Sequence, residues 1–140
     1  HNVAHSFPTR RSSDLILGRL MQTGHAAPAA FADGARLGLA EHAHLSHLVF
    51  AARTAGLTGA RRAEDLPDFL SGLLIGAEIG SARLHGAPPG VTLLGDAALC
   101  DRYAVALGLA GIGVRPAAPE ATTRGQWRVA QAAGLVPEDA

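Results

Sequence analysis

Lysine is absent from this sequence, and several other residue types are scarce. All twelve basic residues are arginines, which excludes Schiff-base chemistry and a phosphate-loop lysine from this chain. The single cysteine, Cys100, excludes an intramolecular disulfide framework and a multi-cysteine metal site, and it is typical of a reducing compartment. Aromatic residues make up only 4% of the chain, which argues against a β-sandwich and favours helices packed through small residues.

Net charge and long apolar runs are missing as well. Twelve acidic residues balance the twelve arginines, so no excess of positive charge would attract nucleic acid, and we expect no nucleic-acid partner. The longest apolar stretch, 69–79, is interrupted by Ser71 and Glu78 and is shorter than the roughly 20 residues that span a bilayer. No apolar segment with a cleavage site opens the sequence, so we expect a cytoplasmic protein with no membrane partner.

The first fifteen residues differ in composition from the rest of the chain. Residues 1–15 are polar, whereas an Ala/Leu/Gly-rich sequence follows them. The run 5–15 resembles the in-frame translation of a sequencing adaptor, so we interpret 1–15 as a non-native segment and exclude it from fold reasoning. A natural Ser-rich linker is the alternative interpretation. On the first interpretation, residues 16–140 are the protein and its true N-terminus is missing.

Hydrophobic residues make up 48% of the 140 residues, enough to bury the core of about one domain. Apolar periodicity and turn residues predict seven elements after residue 27: a helix opening at Pro28, a helix from Leu45 to about Gly56 or Gly59, a helix over 67–84, a buried strand over 91–94, a helix after Asp96, a strand over 112–115 and a helix over 119–133. Residues 16–21 add the stub of an earlier helix. The order predicts an α/β layer with far more helix than sheet.

The predicted helix over 67–84 is apolar on most sides, and Gly72, Gly76 and Gly80 recur along one stripe of it. Such a stripe favours the close approach of a neighbouring element; a contact between two copies of the chain is the alternative. Glu78 is a carboxylate within this apolar helix, and burying it without a partner would be costly. An ion pair with an arginine or an exposed position is favoured over contact with a ligand hydroxyl.

The most informative passage is the predicted strand over 91–94, followed by Gly95, Asp96 and a helix. In α/β layers, ligands bind beyond the carboxyl ends of strands, where helix N-termini offer free N–H groups. Gly95 permits close approach of the backbone, and Asp96 is placed either to cap the helix or to accept a hydrogen bond from a ribose or a base. A turn with a good cap and no ligand remains the alternative.

Other polar or bulky residues receive structural interpretations. The spacing of His42, His44 and His47 does not place all three on one helix face, so we expect an exposed helix end and no metal site. We expect Arg53 to pair with an acid, Trp127 to anchor the core, and the cysteine to be a small core residue. No Ser-His-Asp arrangement, carboxylate pair or phosphate-cradling glycine loop is present.

Beyond these patterns, six runs after residue 15 occur in a fixed order: ILGRLM, FADGARLGL, LSHLVFAARTAGL, DFLSGLLIGAEIG, VTLLGDAALCDRYAVALGLAGI and RGQWRVAQAAGL. Together they resemble the C-terminal portion of the 2-dehydro-3-deoxygalactonokinase family, and SGLLIGAE and RGQWRVAQAAGL are the most specific of them. The resemblance covers nearly all of residues 16–140.

The resemblance implies a helix-rich α/β fold that forms part of a ribonuclease-H-like lobe of the actin-like ATPase and sugar-kinase fold. It implies a transferase that moves the γ-phosphoryl group of ATP, with Mg²⁺, to the terminal hydroxyl of 2-dehydro-3-deoxy-D-galactonate in galactonate catabolism, forming the 6-phosphate. It also implies that Gly95 and Asp96 contact adenosine and that Gly76 and Glu78 flank the nucleotide cleft.

One departure limits what the resemblance implies for these 140 residues. The family's N-terminal lobe, with its Asp-Gly-Thr phosphate loop and the catalytic acid, has no counterpart in the sequence. We therefore expect an incomplete domain that carries no catalytic residue and is inactive alone. Two alternatives remain open: a non-enzymatic helical module that associates as a homodimer through the glycine stripe, and a related kinase acting on another sugar.

Overall fold

The computed structural model describes residues 20–22, 24–86 and 88–136. The interpretation of residues 1–15, and all but the end of the predicted helix stub over 16–21, lie outside the described residues. The described elements are the helices α1 (Pro28–Glu41), α2 (Leu45–Leu57) and α3 (Leu66–Ala82), the strand β1 (Gly90–Leu93), the helix α4 (Ala97–Leu109), the strand β2 (Gly113–Pro116) and the helix α5 (Ala121–Ala132). Short 3₁₀ turns, His42–His44 and Arg83–His85, follow α1 and α3. The predicted helix-rich α/β order is confirmed.

Helices α1 and α3 pack with their backbones in direct contact, because both carry glycine where they meet. A Cβ atom added at Gly72 of α3 would collide with the carbonyl oxygen of Phe31, and one added at Gly34 of α1 would collide with that of Phe69. The predicted role of the glycine stripe, which is the close approach of a neighbour, is therefore confirmed. Since α1 of the same chain covers the stripe, the alternative of a contact between two copies through it is wrong.

The core consists of two hydrophobic clusters, and α1 and α3 contribute to both. The first cluster joins these helices to α4 and to the residue just before β2, and its buried members are Phe31, Ala35, Ile75, Ile79, Ala106, Leu107 and Ile112. The second cluster joins the same two helices to α2, and its buried members are Ala27, Ala30, Ala52, Phe69, Leu70 and Leu73. Each fully buried leucine, such as Leu73, stabilises the fold by about 1.5–3 kcal/mol relative to an exposed one.

Strands β1 and β2 form a two-stranded parallel sheet, with α4 as the connection between them. The register pairs Gly90 with Gly113 and Leu93 with Pro116. The first strand was predicted to be buried, but only one of its faces is covered. Val91 and Leu93 pack against the first cluster, whereas Thr92 is exposed. Only one face of this strand is covered by the core, which produces the alternation of a half-buried strand.

A buried carboxylate, Asp68, connects three helices at the amino end of α3. It is 6% exposed, its Oδ2 atom accepts a hydrogen bond from the Ala27 amide at 2.6 Å, and its Oδ1 atom accepts one from Arg102 of α4 at 2.5 Å. Burial by itself would raise the pKa of Asp68, but the amide hydrogen bond and the arginine outweigh it, so the pKa is lowered. The arginine also lies over the Phe31 ring, 5.4 Å from its centroid.

Several single-residue predictions have different outcomes. Trp127 is 40% exposed and α5 has no buried residue, so the prediction of a core anchor is wrong. The Nε atom of Arg53 is buried without a hydrogen-bond partner in the described ranges, so the expected acidic partner is not found there. His44 and His47 are exposed, whereas His42 is half-buried with its Nδ1 atom 3.4 Å from the Leu39 carbonyl oxygen. No described helix is long and apolar enough to span a bilayer.

Candidate functional site

A cleft of about 570 Å³ opens where both strands end and where α4 and α5 begin. Its volume lies within the roughly 300–1,000 Å³ that is usual for small-molecule sites. The residues that line it are mainly small or apolar: Leu93, Leu94, Gly95, Ala97, Cys100, Asp101, Ala104, Val114, Pro116, Ala117, Ala118, Pro119 and Thr122. The passage that the sequence singled out, β1 with its turn and the start of α4, therefore forms one wall of this cleft.

The topology of the sheet explains why the cavity lies at this end. Parallel strands carry their carboxyl ends to the same edge, and the helices that follow them begin there with unpaired amide groups. Pairing continues to the rim of the cleft, because the Ala117 amide donates a hydrogen bond to the Leu93 carbonyl oxygen at 2.8 Å. This hydrogen bond therefore holds the two strand ends together at the rim.

Gly95 and Asp96 shape the turn between β1 and α4. Gly95 has a φ of 156°, which L side chains rarely adopt, and it lines the cleft. Asp96 caps α4, since its Oδ1 atom accepts a hydrogen bond from the Leu99 amide at 3.1 Å. The cap predicted from the sequence is confirmed. The Asp96 side chain is exposed, and no partner for its Oδ2 atom exists among the described residues.

Gly76 and Glu78, the other two residues expected near a nucleotide, lie elsewhere on α3. Gly76 is buried in the helix contact, where an added Cβ would collide with the backbone of Ala35. Glu78 is exposed, as one of the two favoured interpretations had it, and it accepts a hydrogen bond from the hydroxyl of Tyr103, so its partner is a tyrosine and not an arginine. That hydrogen bond, with burial and the nearby negative charge, raises the pKa of Tyr103 to about 12. Neither residue is among those that line the cleft.

The sequence patterns did not predict the part of the site that α4 supplies beyond its first turn. Ala97, Cys100, Asp101 and Ala104 all line the cleft, at the i, i+3, i+4, i+7 spacing of one helix face. Cys100 is half-buried in this wall, so the prediction of a small core residue holds only in part. A second stripe of small residues, beside the apolar stripe that faces the core, is the signal that could have revealed this wall.

The chemistry of the lining suits an apolar, flat group better than a metal ion. Asp101 is the sole charged residue among the described residues that line the cleft, and Thr122 supplies a hydroxyl. Magnesium requires near-octahedral oxygen coordination, which one carboxylate and one hydroxyl do not provide. The described lining residues therefore suit a largely apolar group, and they do not by themselves fit a protein-held Mg²⁺ ion.

A second group of polar side chains lies outside the cleft. The potential ligand atoms of His25, Glu64 and Asp65 all lie within 4.8 Å of one another. His25 is exposed, and Arg62 forms an ion pair with Glu64. Arg62 already engages one of the two carboxylates, so this cluster by itself does not define a metal site.

Comparison with known proteins identifies the family. A family model described as 2-keto-3-deoxy-galactonokinase matches residues 11–129, and this match includes both strands, α1 to α4 and most of α5. No curated protein matches the sequence. Because the match covers much more than half of the chain and contains the whole β1–Gly95–Asp96–α4 unit, the chain belongs to the 2-keto-3-deoxy-galactonokinase family, a family of sugar-acid kinases.

Proposed function

We propose that this chain forms the nucleoside-binding wall of a cytoplasmic kinase that phosphorylates 2-dehydro-3-deoxy-D-galactonate with ATP and Mg²⁺. The observation that carries the proposal is the cleft at the carboxyl ends of β1 and β2, in a chain that belongs to this kinase family. The two parallel strands and their helices would be the part of a ribonuclease-H-like lobe, within an actin-like ATPase fold, that faces the nucleotide.

The cleft offers each part of a nucleoside a suitable surface. Apolar walls, including Leu93 and Val114, would enclose the base. Asp96 is not itself a lining residue but lies between two of them, Gly95 and Ala97, and its exposed Oδ2 atom would accept a hydrogen bond from a ribose hydroxyl at the rim while Oδ1 continues to cap α4. Phosphates would extend toward the amino end of α5, whose amide groups receive no side-chain cap, because the amino end of α4 already carries the Asp96 carboxylate.

Gly76 and Glu78 would support the cleft from behind and would not touch the nucleotide. Gly76 lets α1 and α3 approach closely, which fixes the surface on which α4 packs. Glu78 holds Tyr103, and this tyrosine lies on the α4 face that packs against the core, whereas Ala104 beside it faces the cleft. Both residues are thus positioning residues for α4 in this proposal.

The reaction would join the γ-phosphorus of ATP to the terminal hydroxyl oxygen of the sugar acid, releasing ADP and a proton. Mg²⁺ would be carried on the phosphates. A phosphate loop of the Asp-Gly-Thr type and the catalytic acid would come from a second lobe that precedes residue 16 in the complete protein. These 140 residues are therefore expected to bind nucleotide without turnover. A related kinase for another sugar would use the same wall.

The first experiment measures binding of a non-hydrolysable ATP analogue to the 140-residue chain by isothermal titration calorimetry. We expect saturable binding at one site. Asp96→Ala should weaken it and lower the free energy of unfolding by about 1 kcal/mol through loss of the cap. Asp96→Ser separates the two roles, because serine keeps the cap and removes only the carboxylate. It should weaken binding of the analogue and leave the free energy of unfolding nearly unchanged. A folded wild-type chain that binds no analogue contradicts the proposal.

The second experiment tests the substrate with the complete gene product. ADP release should depend on 2-dehydro-3-deoxy-D-galactonate and should be much slower with other sugar acids or amino sugars. A preference for a different sugar would leave the proposed nucleotide site unaffected and would assign the enzyme another substrate. An upstream coding sequence without an Asp-Gly-Thr segment in frame with Ile16 would contradict the kinase proposal as a whole.

A further inference from the structure

We propose that Arg102 is a positioning residue of the cleft, because its contacts with α3 and α1 hold the amino-terminal half of α4 where it forms the cleft wall. The inference rests on the proposed function only in taking the cleft as the ligand site, and it adds the residue that fixes the position of one wall. The residues of α4 that line the cleft all lie within 97–104. Loss of the Arg102 contacts should therefore let this wall move.

Apolar packing holds α4 mainly through its carboxyl-terminal half. The buried residues of this helix are Ala106 and Leu107. Leu99 belongs to the same apolar stripe, seven and eight residues earlier, and yet it is 50% exposed. A helical segment without buried residues gains little from tertiary packing. The half of α4 that lines the cleft therefore depends on other contacts for its position.

Arg102 supplies such a contact, at the middle of the helix. Its Nη2 atom donates a hydrogen bond to Oδ1 of Asp68 at 2.5 Å, and Asp68 is 6% exposed. The other oxygen of this carboxylate is held by the amide of Ala27, just before α1. The guanidinium group also lies 5.4 Å from the centroid of the Phe31 ring of α1. One side chain thus ties α4 to both helices of the central pair through a charge-assisted hydrogen bond.

The place of Arg102 around the helix axis explains how it acts on the wall. Successive residues of an α-helix are turned by about 100°, so Arg102 leaves α4 on a different side from its neighbour Asp101, which lines the cleft. A contact on that side fixes the rotation of α4 about its axis, and this rotation sets where the cleft face points. The hydrogen bond from Tyr103 to Glu78 is a second tie, but it is exposed to water, where hydrogen bonds are weaker than in a buried setting.

The test uses Cys100, the single cysteine of the chain, which is half-buried in this wall and reports on its position. Its alkylation rate by iodoacetamide is measured without nucleotide at several low urea concentrations. Arg102→Met keeps the apolar stem and removes the guanidinium group, and we expect it to raise the rate roughly tenfold, the effect of losing one hydrogen bond to a charged group. The raised rate should hardly depend on urea, because a local opening exposes little surface. A merely structural role would act through global unfolding and would make the rate depend steeply on urea.

Three further variants sharpen the test. Arg36→Met is the matched control: it removes an arginine of α1 whose ion pair with Asp33 is exposed, and it should keep the wild-type rate. Arg102→Lys keeps a positive charge for Asp68 and loses the planar group over the aromatic ring, so its rate should lie between those of the wild type and Arg102→Met. Combining Asp68→Asn with Arg102→Met should give no faster alkylation than Arg102→Met alone, because both changes remove the same contact. Circular dichroism verifies that each variant folds.

The outcomes separate this inference from the proposed function. A wild-type alkylation rate in Arg102→Met, or a raised rate that follows urea in step with global unfolding, overturns the positioning role. If Arg102→Met does not fold, a wild-type rate in Arg102→Lys overturns it in the same way. Calorimetry with the ATP analogue is the second readout, in which Arg102→Met should weaken binding roughly tenfold and Arg36→Met should leave it unchanged. Faster, urea-independent alkylation in a chain that binds no analogue would support the positioning role and contradict the proposed function alone.

Discussion

At the scale of single residues, two polar contacts tie α4 to α3. Arg102 reaches the buried Asp68, and its neighbour Tyr103 donates to Glu78. The two contacts differ in their surroundings, because Asp68 is buried and Glu78 is exposed. Each involves a group whose pKa departs from its ordinary value, so each has a measurable signature in a titration.

Tyr103 is the only tyrosine of the chain, and an alkaline titration followed by tyrosinate absorbance reports on it alone. We expect a midpoint near pH 12 in the folded chain and near 10 in the denatured chain. Glu78→Gln should move the folded midpoint down toward 10, because the negative partner is removed. Since the folded pKa is raised, this contact stabilises the fold fully below about pH 10 and the contribution is lost as pH rises through 12. A folded midpoint near 10 in the wild type would contradict the contact.

Asp68 predicts an acid-dependent loss of stability. Its folded pKa lies below the ordinary carboxyl value near 3.9, so its contribution is complete above that value and is lost as pH falls through the folded pKa. Asp68→Asn should therefore lower the unfolding free energy at neutral pH and flatten its decline below pH 4, as measured by urea denaturation at several pH values. Asp33→Asn removes a carboxylate with an exposed partner and should change stability by less than about 0.5 kcal/mol. Equal effects of the two variants would rule out the buried network.

At the scale of elements, the contact between α1 and α3 organises the fold. Glycines on both helices bring the backbones together, and residues on the flanks of this contact enter both hydrophobic clusters. The helix face that α4 uses for the core is different from the face that it presents to the cleft. Core packing on one face of α4 therefore fixes the position of the cleft wall on its other face.

Gly72→Ala tests the close contact of the two helices. The added methyl group would meet the backbone of Phe31, which cannot rotate away, so we expect a loss of on the order of 1–3 kcal/mol in unfolding free energy by chemical denaturation. Gly108→Ala in α4 is the matched control, because its Cβ would meet no atom within 4 Å. Alanine is the better helix former, so the control should gain about 0.5–1 kcal/mol. A neutral Gly72→Ala variant would show that the backbones do not touch.

At the scale of the whole molecule, packing is strong around α3 and weak at α5. Leu66 and Leu73 of α3 are fully buried, whereas no residue of α5 is buried and Val129 is 70% exposed. A helix without buried residues gains little from tertiary packing, and helices of this length are marginal in water by themselves. The cleft wall that α5 begins is consequently the least stable part of the site.

Unequal packing predicts two transitions in denaturant. Trp127 is the single tryptophan and lies on α5, so its fluorescence should change at a lower urea concentration than the helical circular dichroism of the whole chain. A bound ATP analogue should bring the two transitions together, because it would contact the cleft at the start of α5. Coincident transitions without nucleotide would contradict weak packing of this helix.

The sequence by itself determined the order of the elements from Pro28 onward and the capping role of Asp96. Those features are local: apolar periodicity, a proline in the first turn and a capping carboxylate act within a few residues of each other. The ordered runs also determined the family, which the family match over residues 11–129 confirms.

Only the tertiary structure decided which surfaces meet. Asp68 and Arg102 are 34 residues apart, and Glu78 and Tyr103 are 25 apart, so no local pattern pairs them. The exposure of Trp127 and the entry of Asp101 into the cleft likewise depend on what packs against each helix face. A helix carries more than one stripe, and its own residues do not specify which stripe a distant part of the chain will cover.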